Sequence, residues 1–431
     1  MSATTDPPLA RPGPTAAARA AVGPSLPGPE PRADIVVTYL AGLPAAEATA
    51  RAAAESFALG QSLGTWRPVP GITDAMRAAH GARVVDLRRT ADGDAVRGVA
   101  TDGRWILQVA FPLVNLGGSF AMLLTTAIGN DPSTSIPMRL VDLDVPAGFV
   151  AGLPGPRFGT AGWRAITGIA DRPLLLNMIK PCTGFPPEVG AGFAAESARG
   201  GVDLIKDDEL LADPSFSRVA ERTRAYVAAI DRVASETGRA TRYVAHVTTT
   251  PARLAATART AVEAGAAAVM VTPLTLGLDA MADLATSAGV PILAHTAAIE
   301  MWTGAVDGGI GHGALASLLR LAGADAVLTS TPHAPRPLPD GAYRAGIDAL
   351  RRPLPGAEVR AALPMMGGGI GPEHVAAIVE AAGIDAIVAA GGSIQGHPAG
   401  AAAGGRAMQE AIATAAAHWH ARSDAPSEGE P

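Results

Sequence analysis

The chain has 431 residues, 48% hydrophobic and 17% charged, enough apolar material for a large core and enough length for more than one domain. A formal net charge of −6, with no Lys/Arg block interleaved with aromatics, argues against a nucleic-acid partner, and no apolar run reaches the roughly 20 residues that cross a bilayer. The single cysteine, Cys182, excludes an intrachain disulfide framework, and the start shows no basic-then-apolar leader pattern; the expectation is a cytoplasmic protein with no membrane partner.

Residues 1–32 are dominated by Pro, Ala and Gly without a sustained period, so they read as a disordered tail. From Ala33 the pattern changes to the strand "DIVVTYLAGLP", the helical run "AAEATARAAAESFAL" and the strands "ARVVDLRR", "RWILQVAFP" and "MRLVDLDVP". These predict a small α+β domain, ferredoxin-like, over residues 33–150.

After Arg172, short apolar strands alternate with Ala-rich helical segments: "PLLLNMIKP", "GVDLIKDDE", "RYVAHVTTT", "AAAVMVTPL", "PILAHTAA", "DAVLTSTP", "AALPMMGGG" and "DAIVAAGG". Eight such units in succession predict a (β/α)8 TIM barrel over residues 151–415, followed by a flexible tail, 416–431. The fold class is α/β: a C-terminal barrel preceded by the smaller α+β domain. In such a barrel the strand ends gather at one mouth, where the active site sits. Here those ends carry Lys180, Lys206 with its acids, His246, Thr272, His295, Thr329 with Ser330, Gly367 to Gly369, and Gly391 with Gly392. That convergence points to an enzyme acting on a small molecule.

At the second strand end, alternation aims Lys206 and Asp208 to one face. Two carboxylates, Asp208 and Glu209, suit a hard cation such as Mg2+, whereas an ammonium cannot ligate one. Lys206 therefore pairs with the acids or becomes an oxygen ligand, for instance by carbamylation; spacing alone leaves a solvated charge cluster and a metal site both open. Lys180 ends the first strand, where desolvation and nearby cations would lower its pKa and make it a base; the alternative is a lysine snorkelling from the rim. His295 is the stronger candidate for a second proton carrier, ahead of His246, which reads equally as a hydrogen-bonded core residue. The Gly-rich turns "MMGGGIGPEHV" and "AAGGSIQGHP" follow the seventh and eighth strands, where this fold often binds phosphate; ordinary tight turns are the alternative.

With "GGVDLIKDDE", "GTW" (64–66), "IKP" (179–181) and "GHP" (396–398), the chain resembles the RuBisCO large subunit, and more closely the RuBisCO-like proteins, over residues 33–415. The resemblance implies one Mg2+ per site, held by Asp208, Glu209 and carbamylated Lys206, with Lys180 as the acid/base that forms an enediolate. It places Thr65, Trp66, Gly368, Gly369, Gly391 and Gly392 at the first phosphate site. It also implies a homodimer, in which Asn130 reaches the substrate of the neighbouring subunit.

Departures from the carboxylase pattern narrow the activity. The arginine of the His-Arg-Ala motif after the fifth strand is Thr296, the histidine of the sixth strand is Leu328, and the serine of the seventh is Gly367. The loop "TSTPHAPRPLPDG" has no lysine, with Arg336 a loose substitute, and the second lysine of the first-strand motif is Cys182. The expectation is an enzyme that enolises, isomerises or decarboxylates a keto-sugar or keto-sugar-acid monophosphate without fixing CO2. The alternatives are a catalytically silent metabolite-binding protein and residual carboxylation. The methionine-salvage enolases of the family usually lack the lysine at position 180, which points away from that exact role.

Overall fold

The computed structural model describes residues 33–65, 69–305 and 307–423. The predicted tail 1–32 and residues 424–431 lie outside the described residues. Six strands build the N-terminal domain: β1 (Asp34–Ala41), β2 (Arg83–Arg89), the short hairpin β3 (Ala95–Val96) and β4 (Val99–Ala100), β5 (Trp105–Pro112) and β6 (Met138–Asp144). Four form an antiparallel sheet in the order β2-β5-β1-β6, with β1 pairing Asp34↔Pro112 through Ala41↔Trp105. The sheet is ferredoxin-like because two crossover helical segments cover it. Helix Glu47–Leu63 buries Ala50, Ala54, Phe57 and Ala58, a 3.6-residue stripe, and Phe57 meets Tyr39 edge-on at 5.5 Å. Tyr39 then donates its hydroxyl to the Ala127 carbonyl of helix Phe120–Ile128, 2.7 Å away.

The remaining strands close a parallel barrel: β7 (Leu174–Met178), β8 (Leu204–Lys206), β9 (Arg242–His246), β10 (Ala268–Val271), β11 (Ile292–Ala294), β12 (Ala326–Thr329), β13 (Leu363–Met366) and β14 (Ile387–Ala390). Alternation sorts their side chains. Leu174, Leu176, Leu204, Val244, Ala268, Met270, Leu293, Ala326, Leu363, Met365, Ile387 and Ala389 form the inner core. Their neighbours in the opposite phase, such as Leu175, Ile205 and Val388, pack outward with the helices. Trp163, on helix Gly159–Thr167, belongs to the inner core. That helix is fixed by Asp325, which accepts the Phe158 and Gly159 N–H groups at 2.7 and 2.6 Å.

One boundary differs from the expectation. Residues 416–423 are helical, the end of helix Ala401–Ser423, and not part of a flexible tail. Alanine-rich sequence carries no turn signal there, Trp419 packs on the core, and His420 bonds the Asp171 carbonyl at 2.8 Å. No helix among the described residues is long and apolar enough to cross a membrane.

Candidate active site

Continuing the inner-core phase by one residue pair reaches the mouth of the barrel. The positions are Met178, Lys206, His246, Thr272, His295, Leu328, Gly367 and Gly391, with Met178 and Leu328 packed directly on the inner core. Lys180 lies two residues beyond Met178.

The side chains expected to act together are chained by short contacts. Lys180 Nζ meets Asp208 Oδ2 at 2.5 Å and donates to Cys182 Sγ at 3.0 Å. Lys206 Nζ donates to the Asp207 carbonyl at 2.8 Å and lies 3.8 Å from Glu209 Oε2, which is 3.2 Å from His295 Nε2. Lys206 is fully buried. Burial holds its pKa below the ordinary lysine value, against the pull of Glu209, Asp208 and Asp207. The neutral amine so favoured is the form that condenses with CO2.

Lys180 overturns one expectation. Burial lowers its pKa, but the hydrogen bonds to Asp208 and Cys182 and the Asp208 charge outweigh it, and the net shift is upward. In this arrangement Lys180 is a held ammonium rather than a base. Burial pushes the His295 imidazole down, opposed by its hydrogen bond to Glu209. The ring is therefore neutral near pH 7, with Nε2–H donating to Glu209 and a buried Nδ1 that has no hydrogen-bond partner. That donated bond holds Glu209 well below the usual carboxylate range.

Asp207, between two candidate ligands, has the opposite phase and faces away. It accepts Arg222 Nε at 3.1 Å and Nη2 at 3.0 Å, together with the His246 backbone N–H at 3.0 Å. Arg222 is itself fully buried and spends its other donors on the Ser217 and Ala212 carbonyls. The pair therefore fixes the segment just after β8, a role not foreseen from sequence. The signal was available: a third acid of outward phase beside a buried strand needs a cation on the following helix. His246 donates to or accepts from Thr248 Oγ1 at 2.7 Å, and burial lowers its pKa to about 4.

The other side of the mouth is bare. Gly368 and Gly369 adopt φ of 91° and 77°, the left-handed region that favours glycine. A Cβ at Gly391 would stand 3.5 Å from Lys180 Cε, and Gly392 opens helix Gly392–Gln395. Ser393 Oγ donates to the Ile370 carbonyl at 2.6 Å and ties the two glycine turns together. Thr296 Oγ1 donates to the Leu328 carbonyl at 3.0 Å, and Leu328 Cδ1 lies 2.9 Å from where a Gly367 Cβ would be. Position 367 thus has no room for a serine beside this Leu328 rotamer. Arg336 is turned to Glu300, 3.4 Å away, and both are exposed.

Asn130 and Thr65 stand on the N-terminal domain. Asn130 is exposed, holds a strained φ of 37°, and uses its carbonyl to accept the Ser133 and Thr134 hydroxyls. Thr65 follows Gly64, the left-handed cap of helix Glu47–Leu63. Trp66 lies outside the described residues.

The donor set fits Mg2+ conditionally. No three His, Cys, Asp or Glu side chains converge on a metal position among the described residues. Asp208 and Glu209 supply two carboxylates, and the third oxygen donor has to come from modified Lys206, whose buried amine favours that modification.

A closed (β/α)8 barrel with a lysine and two acids at the end of its second strand, carrying a ferredoxin-like domain, defines the class. Residues 160–336 match the family model for the ribulose bisphosphate carboxylase large chain, catalytic domain, and residues 29–149 that for its N-terminal domain. The chain is 42% identical to a ribulose bisphosphate carboxylase-like protein of Archaeoglobus fulgidus, over 82% of each chain. It is 34% identical to a 2,3-diketo-5-methylthiopentyl-1-phosphate enolase of Geobacillus thermodenitrificans, over 89% of this chain and 92% of the relative. It also matches the crystal structure of a rubisco-like protein (MtnW) from Alicyclobacillus acidocaldarius, with a TM-score of 0.79 and 34% identity over 92% of this chain and 98% of that one. The chain belongs to the RuBisCO large-chain family, among its RuBisCO-like proteins.

Proposed function

We propose that this RuBisCO-like protein is a Mg2+-dependent enzyme of enolase type, which moves a proton beside the carbonyl of a keto-sugar or diketone monophosphate and does not fix CO2. The observation that carries the reading is the contact chain Lys180–Asp208, Lys206–Glu209 and Glu209–His295 at one side of the mouth. On the opposite side Thr296, Leu328 and Gly367 offer no cation for a second phosphate. The named enolase relative supports this chemistry. Lys180 departs from the usual salvage-enolase pattern, so the reading stops at the substrate class.

Asp208, Glu209 and carbamylated Lys206 would hold Mg2+, which when bound would supply Lewis-acid polarisation of the substrate carbonyl. Lys180 is the residue that would accept the proton at Nζ; with Asp208 engaged elsewhere, burial would act on it to favour the neutral amine. Neutral His295 keeps Glu209 ionised through its Nε2–H. The backbone N–H groups at Gly368, Gly369, Gly391 and Gly392 bind the single phosphate. A second copy brings Asn130 to the mouth, in keeping with its exposure and strained backbone.

The test is proton exchange in D2O with Mg2+, bicarbonate and a panel of keto-sugar and diketone monophosphates. Deuterium is expected at the carbon beside the carbonyl. Lys206→Ala and Lys180→Ala are each expected to slow exchange by roughly 10³-fold or more, with unchanged circular dichroism. Full exchange in both variants, or labelled CO2 recovered in a carboxylated product, would overturn the reading.

A further inference from the structure

Two histidines that the reaction above does not use meet over the glycine turns. His333 lies in the loop 330–338 after β12, and His374 ends the turn Pro372–His374 after β13. Their rings stack with centroids 4.7 Å apart and planes 25° apart. The stack holds the loop down on the turn: a Cβ at Gly369 would touch Pro335 and the His333 carbonyl, and one at Gly368 would touch Ala334.

His374 Nδ1 accepts the Gly371 N–H at 3.0 Å, which puts the proton of the neutral ring on Nε2. The His333 ring nitrogens make no hydrogen bond among the described residues; only its backbone N–H is used, toward Thr331 Oγ1. Among the described residues, Lys180 faces Asp208 and Arg336, in the same loop as His333, faces Glu300. Glu373, with Oε1 3.5 Å from His374 Nδ1, is the acid beside the pair. Among the described residues, a phosphate on the glycine turns meets backbone dipoles, and with Lys180 assigned to proton transfer and Arg336 facing Glu300, the imidazoles are the groups available to balance its charge.

We propose that the His333–His374 pair determines specificity at the phosphate end, binding the tetrahedral dianion of a phosphate monoester by taking up one proton as the anion docks. The inference rests on the reading of the glycine turns as a phosphate site. His333, whose ring nitrogens are free of hydrogen bonds among the described residues, is the ring that takes the proton, with His374 stacked against it. Burial and the neighbouring His374 keep His333 below the ordinary histidine value in the free protein, and a dianion reverses that balance. Neither histidine is near Lys206, Asp208 or Glu209 in sequence, and neither contacts them.

Sulfate is a suitable probe because it stays dianionic across the range in which histidine titrates. In calorimetry on the full chain, sulfate is expected to bind about tenfold more tightly at about pH 6 than at about pH 8, with uptake of roughly one proton. In His333→Asn and in His374→Asn the pH effect is expected to fall below about twofold, with proton uptake lost. Position 333 is a half-buried loop residue, so its variant tests the idea without disturbing the barrel. Sulfate binding in His333→Asn with the full pH effect would sink the histidine proposal and leave the glycine site standing. No sulfate binding by the wild-type chain at either pH would remove the glycine site and the proposal together.

Discussion

The mouth of the barrel divides into two arcs built on opposite principles. From β8 to β11 the strand ends present Lys206, His246, Thr272 and His295, all buried, each in a contact that leads to another side chain or to a loop carbonyl. From β12 through β14 to β7 the corresponding positions are Leu328, Gly367, Gly391 and Met178, and what faces the mouth is mainly backbone. The first arc is anchored from beneath by the buried Asp207–Arg222 pair. The second is joined by neutral hydrogen bonds, Ser393 to Ile370 and Asn177 to Ala390. Proton transfer needs fixed charges with shifted pKa values, and anion binding needs close approach to N–H groups. The first arc supplies the fixed charges and the second the N–H groups, with Lys180, beyond the end of β7, reaching from the second arc to Asp208 in the first.

If the first arc depends on its buried pair, Arg222→Met should cost about 3–5 kcal/mol, because Asp207 is left as an unpaired buried charge and two loop carbonyls lose their donor. Ser393→Ala, the comparable change in the second arc, should cost about 1 kcal/mol. Urea unfolding of both variants checks this. Equal losses would mean that the arcs are not differently anchored.

Much of this division was legible in the sequence. Eight short strands of three to five residues with polar or glycine ends specify a parallel barrel, and the inward phase of Lys206 follows from counting along β8. Asp207 was not resolved because its partner is remote, and a strand pattern tells which way a side chain points but not what it meets. The direction of the Lys180 shift is illegible for the same reason: burial is readable from an apolar run, whereas the 2.5 Å contact with Asp208, which reverses the shift, joins residues far apart in the chain. Likewise Leu328 and Gly367 look like two separate losses in sequence. In space they are one packing unit, since the leucine fills the place of the missing Cβ.

Acid should act first on the polar arc. His246 has a pKa of about 4 in the fold, against an ordinary value of 6.5, so as pH falls the unfolded chain takes up the proton before the folded one does. Its contribution is therefore complete above about pH 6.5 and lost as pH falls toward 4. At about pH 4.5 the loss is about 2.5 kcal/mol relative to pH 7. His246→Asn should shrink the stability difference between those two pH values by that amount, measured by urea unfolding. An unchanged difference would place the acid sensitivity elsewhere.

The smallest effect tests whether the bare arc selects the substrate. Thr296 Oγ1 donates to the Leu328 carbonyl, so the two positions are neighbours at the mouth. Introducing Thr296→Arg together with Leu328→His adds donors where the carboxylases carry them. One charge-assisted hydrogen bond, net of the cost of burying the new cation, is worth about 1.5 kcal/mol, so a sugar bisphosphate should inhibit exchange about tenfold more strongly than in the wild-type chain. Carboxylation should stay absent, because Cys182 and the lysine-free loop after β12 are unchanged. If bisphosphate inhibition does not move, a feature other than Thr296 and Leu328 sets the preference for one phosphate. The loop carrying His333, which follows β12, then becomes the part of the mouth to vary next.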